Sequence, residues 1–348
     1  MDIRTCEINL NYWYVVARST EVTTKPLGVQ IWYRSIVLYR DSLGKIHGLD
    51  DRCPHRQVRL SEGQVVENSL ECAYHGWQFN QEGNCILIPY LTDNQALPNC
   101  QINTYPVQES DGFIWVFLGD KQKLEANNIK PLKIPEWEHL NYLGTVSVID
   151  CQGHFSFLIE NLMDMYHGHL HNNYQAWTGA KLKELSTDNH QVNALYEAQS
   201  YYKIDKIWSV SQLFFPQLRR LHPEPLTVSY FYPHWLSKLG NDFTIYCLFC
   251  PINLTHTRAY LIHFTSLNAF WRLHKLPIWF RQLIKNSLGG TAQTMLDGLV
   301  AQDVRMIEQE QQAYLQNRNQ KTHEVNPTIG QVQKLIRIRE EIGKKVDF

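Results

Sequence analysis

Two short runs of Cys and His are the residues of this 348-residue chain best suited to metal or redox chemistry. One residue separates Cys53 from His55, two separate Cys72 from His75, and sixteen lie between His55 and Cys72. Thiolates and imidazoles bind zinc, and they also hold iron in iron–sulfur centres. The two runs therefore predict a metal or iron–sulfur centre that is held by two loops.

The pairing inside each run distinguishes these two kinds of centre. Structural zinc loops usually supply pairs of Cys and pairs of His. Here each run combines one Cys with one His, which suits a Rieske [2Fe-2S] centre, where two imidazoles replace two thiolates on one iron. We therefore predict a [2Fe-2S] cluster with Cys53 and Cys72 on one iron and His55 and His75 on the other. A zinc-stabilised binding module is the alternative interpretation.

Composition describes a globular protein with room for two domains. Hydrophobic residues make up 44% and charged residues 19% of the chain. The formal net charge of -1 gives no indication of a nucleic-acid partner. The first residues lack the basic and apolar regions of a signal peptide, and the eight cysteines show no framework spacing. We expect a cytoplasmic, reducing location, and no transmembrane segment, because no run of about eighteen uncharged apolar residues occurs.

Residues 12–120 contain short segments rich in β-branched and aromatic residues, separated by turn signals. This pattern is typical of strands and predicts a small all-β domain with the cluster at its loop tips. A Lys- and Pro-containing stretch at residues 121–135 is predicted to be the linker. We place the two domains at residues 1–125 and 126–348.

The second domain is predicted to combine helices with a sheet. A helix is expected over residues 156–172 and a strand over 243–250. Long helices are expected from about 291 to 316 and from 329 to 343.

The helix predicted over residues 156–172 carries a second set of possible metal ligands. Asp164, His167 and His171 lie at positions i, i+3 and i+7, so an α-helix would place them on one face. Two His and a carboxylate form the facial triad of non-haem Fe(II) oxygenases, which leaves coordination positions open. A solvated helix face would give the same pattern, but a cluster upstream in the same chain favours iron.

Over nearly its whole length the chain resembles the catalytic subunit of the Rieske non-haem iron oxygenases. Residues 51–89 follow the family's cluster consensus, with Ala73 where Pro is usual. Asn161, Asp164 and His167 match the family motif Asn-x2-Asp-x2-His. The resemblance implies an α+β fold, with a small all-β Rieske domain followed by a helix-covered, curved antiparallel sheet of the START or helix-grip kind.

The second iron-binding His departs from the family pattern. The family commonly has four residues between its two His, whereas three lie between His167 and His171, and Asn172 occupies the usual position. His171 is the nearest candidate. His169 is the alternative, although an ideal helix turns it about 140° away from Asp164.

The third iron ligand implied by the resemblance is a carboxylate from a late helix. Asp303, with Glu308 five residues on, is similar to the family pattern. Asp297, about one and a half turns earlier, is the alternative.

The resemblance also implies a role for Asp164 and an assembly. In the family, the Asp before the first iron-binding His bridges that His to a cluster His of the neighbouring subunit, and His75 is the matching residue. A head-to-tail homotrimer follows, because the two metals of one subunit would lie too far apart for electron transfer.

The implied function is that of a Rieske non-haem iron monooxygenase or dioxygenase, an oxidoreductase with a [2Fe-2S] cluster and a mononuclear Fe(II). A separate ferredoxin or flavin reductase is expected as the electron donor, because no Gly-x-Gly-x2-Gly fingerprint occurs. With O2, the enzyme would hydroxylate or demethylate an apolar or aromatic small molecule. The chain resembles the monooxygenase and demethylase branch and the pheophorbide and chlorophyllide oxygenases. The alternative is a Rieske electron carrier or redox-sensing scaffold with a vacant mononuclear site.

Overall fold

The structure of the chain is a computed structural model. It describes residues 2–92, 94–171, 174–175, 177–201, 206, 209, 211–270, 272–318, 320 and 322–344. The chain divides into an N-terminal unit, Asn9–Ile134, and a C-terminal unit, Met1–Ile8 with Pro135–Phe348. The division after Ile134 comes later in the chain than the predicted boundary at residue 125, and the first eight residues belong to the C-terminal unit.

The N-terminal unit is built from short antiparallel strands, which its described residues arrange in one three-stranded and two four-stranded sheets. The strands are β1 (Trp13–Arg18), β2 (Leu27–Ile31), β3 (Arg34–Arg40), β4 (Ile46–Asp50), β5 (Gln64–Val66), β6 (Ser69–Glu71), β7 (Gln78–Phe79), β8 (Cys85–Leu87), β9 (Thr104–Tyr105), β10 (Val107–Ser110) and β11 (Phe113–Phe117). The sheet orders are β1-β11-β10, β2-β3-β4-β9 and β5-β6-β7-β8. All five residues of β11 are buried, as expected of a continuous apolar run in a sheet interior.

A short helix, α1 (Lys121–Asn127), occupies part of the predicted linker. The Asp120 side chain caps it by accepting a hydrogen bond from the amide of Gln122 at 2.8 Å. Asn128 ends it in the left-handed conformation, with φ 46°. The Lys-rich composition of this segment therefore suits an exposed helix.

The C-terminal unit is a large antiparallel sheet with helices. In the part that the structure describes, seven strands lie in the order β12-β18-β17-β16-β15-β14-β13. They are β12 (Tyr142–Cys151), β13 (Trp177–Thr187), β14 (Gln191–Ser200), β15 (His222–Phe231), β16 (His234–Leu239), β17 (Phe243–Asn253) and β18 (His256–Ser266). Burial alternates along β14, so one face of this strand is directed to the core.

The helices of this unit are α2 (Phe155–Met163), α3 (Ser211–Phe214), α4 (Ile278–Gln316) and α5 (Pro327–Lys344). Helix α4 packs along β12, and α2 packs against α4 and α5. Helix α4 begins well before the predicted residue 291, because Pro277 precedes its first turn and starts the helix, where Pro is tolerated. None of the described helices is long and apolar enough to cross a membrane.

The helix predicted over residues 156–172 is shorter than expected. Helix α2 ends at Met163, Asp164 has extended backbone (φ -93°, ψ 100°), and a 3-10 helix covers Met165–His171. The Asp164 carboxylate accepts a hydrogen bond from the amide of Tyr166 at 3.0 Å, a local bond that competes with helix propagation. The prediction that one α-helical face carries Asp164, His167 and His171 is therefore wrong.

Two candidate metal centres

The predicted cluster ligands lie on two loops with the same backbone hydrogen bonds. In each loop the cysteine amide donates to the carbonyl five residues on, and the cysteine carbonyl accepts from the amide four residues on, at 2.8 to 3.0 Å. That fourth residue has left-handed backbone in both loops, with φ 60° at Gln57 and 68° at Gly76. Cys53 and Cys72 are therefore presented by equivalent turns.

The side chains on these loops suit an iron–sulfur cluster. Cys53 and Cys72 are 1% and 2% exposed. The rings of His55 and His75 lie 4.6 Å apart, and Trp77 stacks on His55 at 4.8 Å. Among the described residues, neither imidazole has a hydrogen-bond partner for its buried Nδ1. Because buried polar atoms are normally paired, two orphaned nitrogens beside two buried thiols fit a bound cluster.

Burial in these loops favours the neutral imidazole of His55, which is the form that binds metal, but it disfavours the thiolate of Cys53 unless a cation is near. Burial raises the pKa of Cys53 to about 11, and the neighbouring Cys72 thiol adds to the shift. Burial lowers the pKa of His55, and His75 lowers it further, so the imidazole is neutral. Two thiolates in so small a buried volume need a compensating positive charge, which iron supplies.

The second candidate centre brings together two elements of the C-terminal unit. His167 and His171 lie on the 3-10 helix that follows α2, and Asp303 lies on α4. One ligand atom from each of the three lies within 4.8 Å of the others. The Asp303 Oδ1 is 3.1 Å from the Nε2 of His171 and 3.6 Å from that of His167.

The geometry of this trio fits a metal ion better than a hydrogen bond. The buried Nε2 of His171 has no hydrogen-bond partner in the described chain, although Asp303 is 3.1 Å away, so the two atoms are close without the alignment of a donor and an acceptor. Two ligands with ~2.1 Å bonds at right angles on one ion lie about 3 Å apart. The three atoms therefore converge on a common point.

Gln302 orients the His171 ring. The Nδ1 of His171 lies 2.9 Å from the Oε1 of Gln302 and donates to it in the tautomer that leaves Nε2 free as a ligand. Burial opposes a charge on this imidazole, but the Asp303 carboxylate and Gln302 raise the pKa of His171 above its usual value. Burial lowers the pKa of His167, against the charge of Asp303.

The structure distinguishes between the alternatives that the sequence left open. Asp303 is 6% exposed and accepts a 3.3 Å hydrogen bond from Asn161, whereas Asp297 accepts a 2.6 Å hydrogen bond from Ser147 on β12. His169 is exposed and does not belong to the converging group of described residues. Asn172 lies outside the described residues.

Asp164 lies beside this centre and does not belong to it. Its Oδ1 accepts hydrogen bonds from the amide of Tyr166 at 3.0 Å and from the Nδ2 of Asn326 at 2.9 Å. Asn326 in turn accepts a 3.0 Å hydrogen bond from the amide of Thr328 at the start of α5. The carboxylate is therefore held from two sides.

Sequence reasoning missed both Gln302 and Asn326. A signal existed for Asn326, because Asn followed by Pro327 is a typical helix start. No local signal marks Gln302, since an exposed Gln on a helix would look the same.

Gly168, which lies between His167 and His171 in the sequence, allows the 3-10 helix to pack closely against Trp177 on β13. A Cβ at this position would lie 2.8 Å from the Trp177 ring. The Nε2 of Gln175 also donates to the Gly168 carbonyl at 2.6 Å. A larger residue would push the 3-10 helix away from β13 and displace the imidazoles.

Comparisons with known proteins agree with both centres. The family described as Rieske [2Fe-2S] domain matches residues 12–106. The 4beta-methylsterol monooxygenase of Methylococcus capsulatus is 30% identical over 343 residues, which cover 96% of this chain and 89% of that protein. The vanillate O-demethylase oxygenase subunit of a Pseudomonas strain is 39% identical over 160 residues, 45% of this chain and 43% of that protein.

Solved structures extend the likeness to the whole fold. Dicamba monooxygenase bound to dicamba has a TM-score of 0.77 and 20% identity, covering 98% of this chain and 100% of that one. The same enzyme with non-heme iron and dicamba has a TM-score of 0.72 at 20% identity, with the same coverage. These neighbours and the strand orders above confirm the predicted α+β class, with a small β unit followed by a helix-covered antiparallel sheet.

Proposed function

Since the chain belongs to the Rieske non-haem iron oxygenases, we propose that it hydroxylates or demethylates an apolar or aromatic small molecule. The oxygenase activity, the [2Fe-2S] cluster and the mononuclear iron follow from the family. The substrate class is proposed from two relatives, one named for a methylsterol and one for vanillate. Both named molecules carry a methyl group, on the sterol frame in one and on an aromatic ether oxygen in the other.

We assign the cluster to the two equivalent loops of the N-terminal unit. Cys53 and Cys72 are proposed to hold one iron, and His55 and His75 the other. The orphaned Nδ1 atoms of the two His support this assignment.

We assign the mononuclear iron to His167, His171 and Asp303. The convergence of one ligand atom from each within 4.8 Å is the observation that carries this assignment. When bound, the cluster supplies single electrons and the mononuclear iron supplies the site of O2 chemistry beside the substrate. Gln302 keeps Nε2 of His171 directed at the site, and Asn161 orients the Asp303 carboxylate.

We propose that Asp164 connects the two kinds of centre between subunits. Its carboxylate is half-buried, and its negative charge partly offsets the lowering of the His167 pKa by burial. Asn326 holds the carboxylate while leaving Oδ2 for a donor such as His75 of the partner subunit. This arrangement requires a head-to-tail homotrimer.

The chain needs a separate electron donor, as expected of proteins similar to the oxygenase components and subunits of multi-protein systems. We propose a ferredoxin or a flavin reductase for this role. None of the eight cysteines is in a disulfide, and on this basis we propose a reducing compartment such as the cytoplasm.

The electron-carrier alternative is not favoured. A carrier does not need a second set of ligands, whereas His167, His171 and Asp303 come from two different elements and still converge. The methylsterol and vanillate relatives are also named as oxygenases.

Iron analysis combined with isotope labelling tests the proposal. The purified protein should contain three iron per chain. With a reductant, a ferredoxin and labelled O2, it should add one labelled oxygen to a sterol-like compound, or remove the methyl group of a methoxy-aromatic compound as formaldehyde, in a mass-spectrometric screen. His167→Ala should retain two iron and form no product. Two iron per wild-type chain, or turnover by the variant, would refute the assignment.

A further inference from the structure

Outside both proposed centres, two cysteines face each other in the N-terminal unit. Asn84 and Gln101 form an antiparallel β-bridge, and the amide of Cys85 donates to the carbonyl of Cys100 at 3.4 Å. In an antiparallel bridge, the residue after Asn84 lies opposite the residue before Gln101. Opposed residues have Cα atoms about 4.5 to 5.5 Å apart and side chains on the same face.

The close approach of these two segments is built into the chain. The amide of Ile102 donates to the carbonyl of Gly83 at 2.9 Å. A Cβ on Gly83 would lie 2.1 Å from the Ile102 carbonyl oxygen, so only glycine permits this spacing. Gly83 also has φ +81°, which favours glycine independently.

We propose that Cys85 and Cys100 are a redox modification site, where the two thiols form a reversible disulfide. Disulfides need Cα atoms about 4.4 to 6.8 Å apart, and the separation of opposed residues falls inside that range. Cys100 is half-buried and accessible to a reagent, whereas Cys85 is 9% exposed and lies behind it.

The environment of Cys85 supports this pairing. Cys85 belongs to a buried hydrophobic core, and Cys100 packs against that same core. Because Cys100 is the more exposed of the two thiols, it is expected to react first.

Four of the six other thiols are less suited to such a bridge. Cys53 and Cys72 are assigned to the cluster. Cys247 and Cys250 are both buried on β17. Because they are three residues apart in one strand, their side chains point to opposite faces of the sheet.

Closure of the bridge balances by thiol–disulfide exchange with a low-molecular-weight disulfide such as oxidised glutathione. The Cys100 thiolate attacks one sulfur of that disulfide, whose S–S bond breaks, and one small thiolate leaves. The Cys85 thiolate then attacks the Cys100 sulfur, and the second small thiol leaves. The two protein thiols lose two electrons and two protons, which the small disulfide takes up.

A bridge at this position would restrain the cluster-binding region. Cys85 packs in the same buried core as Cys53 and Cys72. The bridge would join the start of β8 to the segment that leads into β9. Cross-links of this kind act mainly by restricting the unfolded chain. We therefore expect the oxidised domain to retain its cluster longer.

Peptide mass spectrometry of the intact iron-loaded protein tests the site. The protein is incubated with oxidised glutathione, its free thiols are alkylated, and it is cut with chymotrypsin, which separates the two cysteines after Tyr90. The expected result is a linked Cys85–Cys100 peptide that dithiothreitol reverses, with unchanged cluster absorbance. Oxidation of Cys53 or Cys72 with bleaching, or no linked peptide, would overturn the proposal.

Variants separate the bridge from general thiol damage. Cys100→Ser should remove the linked peptide, whereas Cys250→Ala should keep it. The half-life of cluster absorbance on heating should be about tenfold longer in oxidised than in reduced wild-type protein. It should be the same in both states of Cys100→Ser. Equal half-lives in wild-type protein that carries the linked peptide would contradict the proposed effect.

Discussion

The two metal centres are positioned in opposite ways. The cluster ligands lie within residues 53–75, on loops closed by backbone hydrogen bonds between neighbouring residues. The mononuclear centre combines a 3-10 helix with α4, and the hydrogen bond that orients His171 joins residues 131 positions apart. Short-range backbone geometry positions the first centre, whereas tertiary packing and side chains position the second.

This difference has a consequence for mutational sensitivity. Each cluster loop contains its own turn, so a substitution in another element leaves that turn in place. Gln302 on α4 contacts the proposed ligand His171, and Asn161 on α2 contacts Asp303. Asn326, just before α5, holds the neighbouring Asp164. We therefore expect substitutions outside the ligands to affect the mononuclear centre more than the cluster.

The largest expected effect is a loss of turnover and of iron when Asp303 on α4 is replaced, but not when Asp297 on the same helix is replaced. Asp303→Asn should lower turnover about 10³-fold, because an amide replaces an anionic iron ligand. Iron analysis should fall from three to two per chain while the cluster absorbance stays. The matched variant Asp297→Asn should retain three iron and most activity. If Asp297→Asn were the variant that lost iron, the assignment of the third ligand would be wrong.

The next effect tests the link between the two centres. Asp164→Asn should slow oxidation of the reduced cluster by about 10²-fold in a single turnover, because the carboxylate charge is lost while both metals remain. Asn326→Ala should have a smaller effect, about tenfold, because it removes only one of the two bonds to Asp164. Stopped-flow absorbance measures both rates. An unchanged rate in Asp164→Asn would exclude a role for the carboxylate.

A smaller effect is expected for Gln302, which orients the His171 ring and is not itself a proposed ligand. Gln302→Leu should weaken iron binding about 10- to 100-fold, since the Nδ1 of His171 loses its acceptor. Competition with a chelator measures the affinity, and the cluster spectrum should not change. Gln282→Leu, on the exposed first half of α4, serves as the control. Equal iron affinities for the two variants would contradict the role of Gln302.

The smallest expected effect is on how the stability of the C-terminal unit changes with pH. His154 is fully buried between the Cys6 carbonyl (3.0 Å) and the Ser156 hydroxyl (2.7 Å), and burial lowers its pKa to about 4. The unfolded chain has a pKa near 6.5, so it binds the proton more tightly. The contribution of neutral His154 to the free energy of unfolding is therefore complete above pH 6.5. It is lost as the pH falls towards 4, by up to about 3 kcal/mol.

Thermal unfolding of the C-terminal unit measures this contribution. The midpoint of wild-type protein should fall between pH 7 and pH 5, and His154→Gln should show a smaller fall from a lower starting midpoint. His190→Gln, an exposed control, should behave like wild type. The same pH dependence in all three proteins would show that His154 does not titrate on unfolding.

The sequence alone was sufficient for the cluster type, the small β domain and the α+β class. The reason is that Cys53 with His55 and Cys72 with His75 lie on turns formed by residues close in sequence. The spacing within each turn does not depend on contacts with distant parts of the chain. Alternation and β-branched runs identify strands in the same local way.

Tertiary structure decided the composition of the second centre. Helical periodicity predicted a continuous helix over residues 156–172, but the Asp164 carboxylate takes a backbone amide and α2 ends before it. We propose His171 over His169 and Asp303 over Asp297 because α4, which packs along β12, brings Asp303 close to His167 and His171. Residue spacing cannot predict which of these candidates lie together. The ligand atoms of His167, His171 and Asp303 belong to segments that meet only when the sheet and its helices pack together.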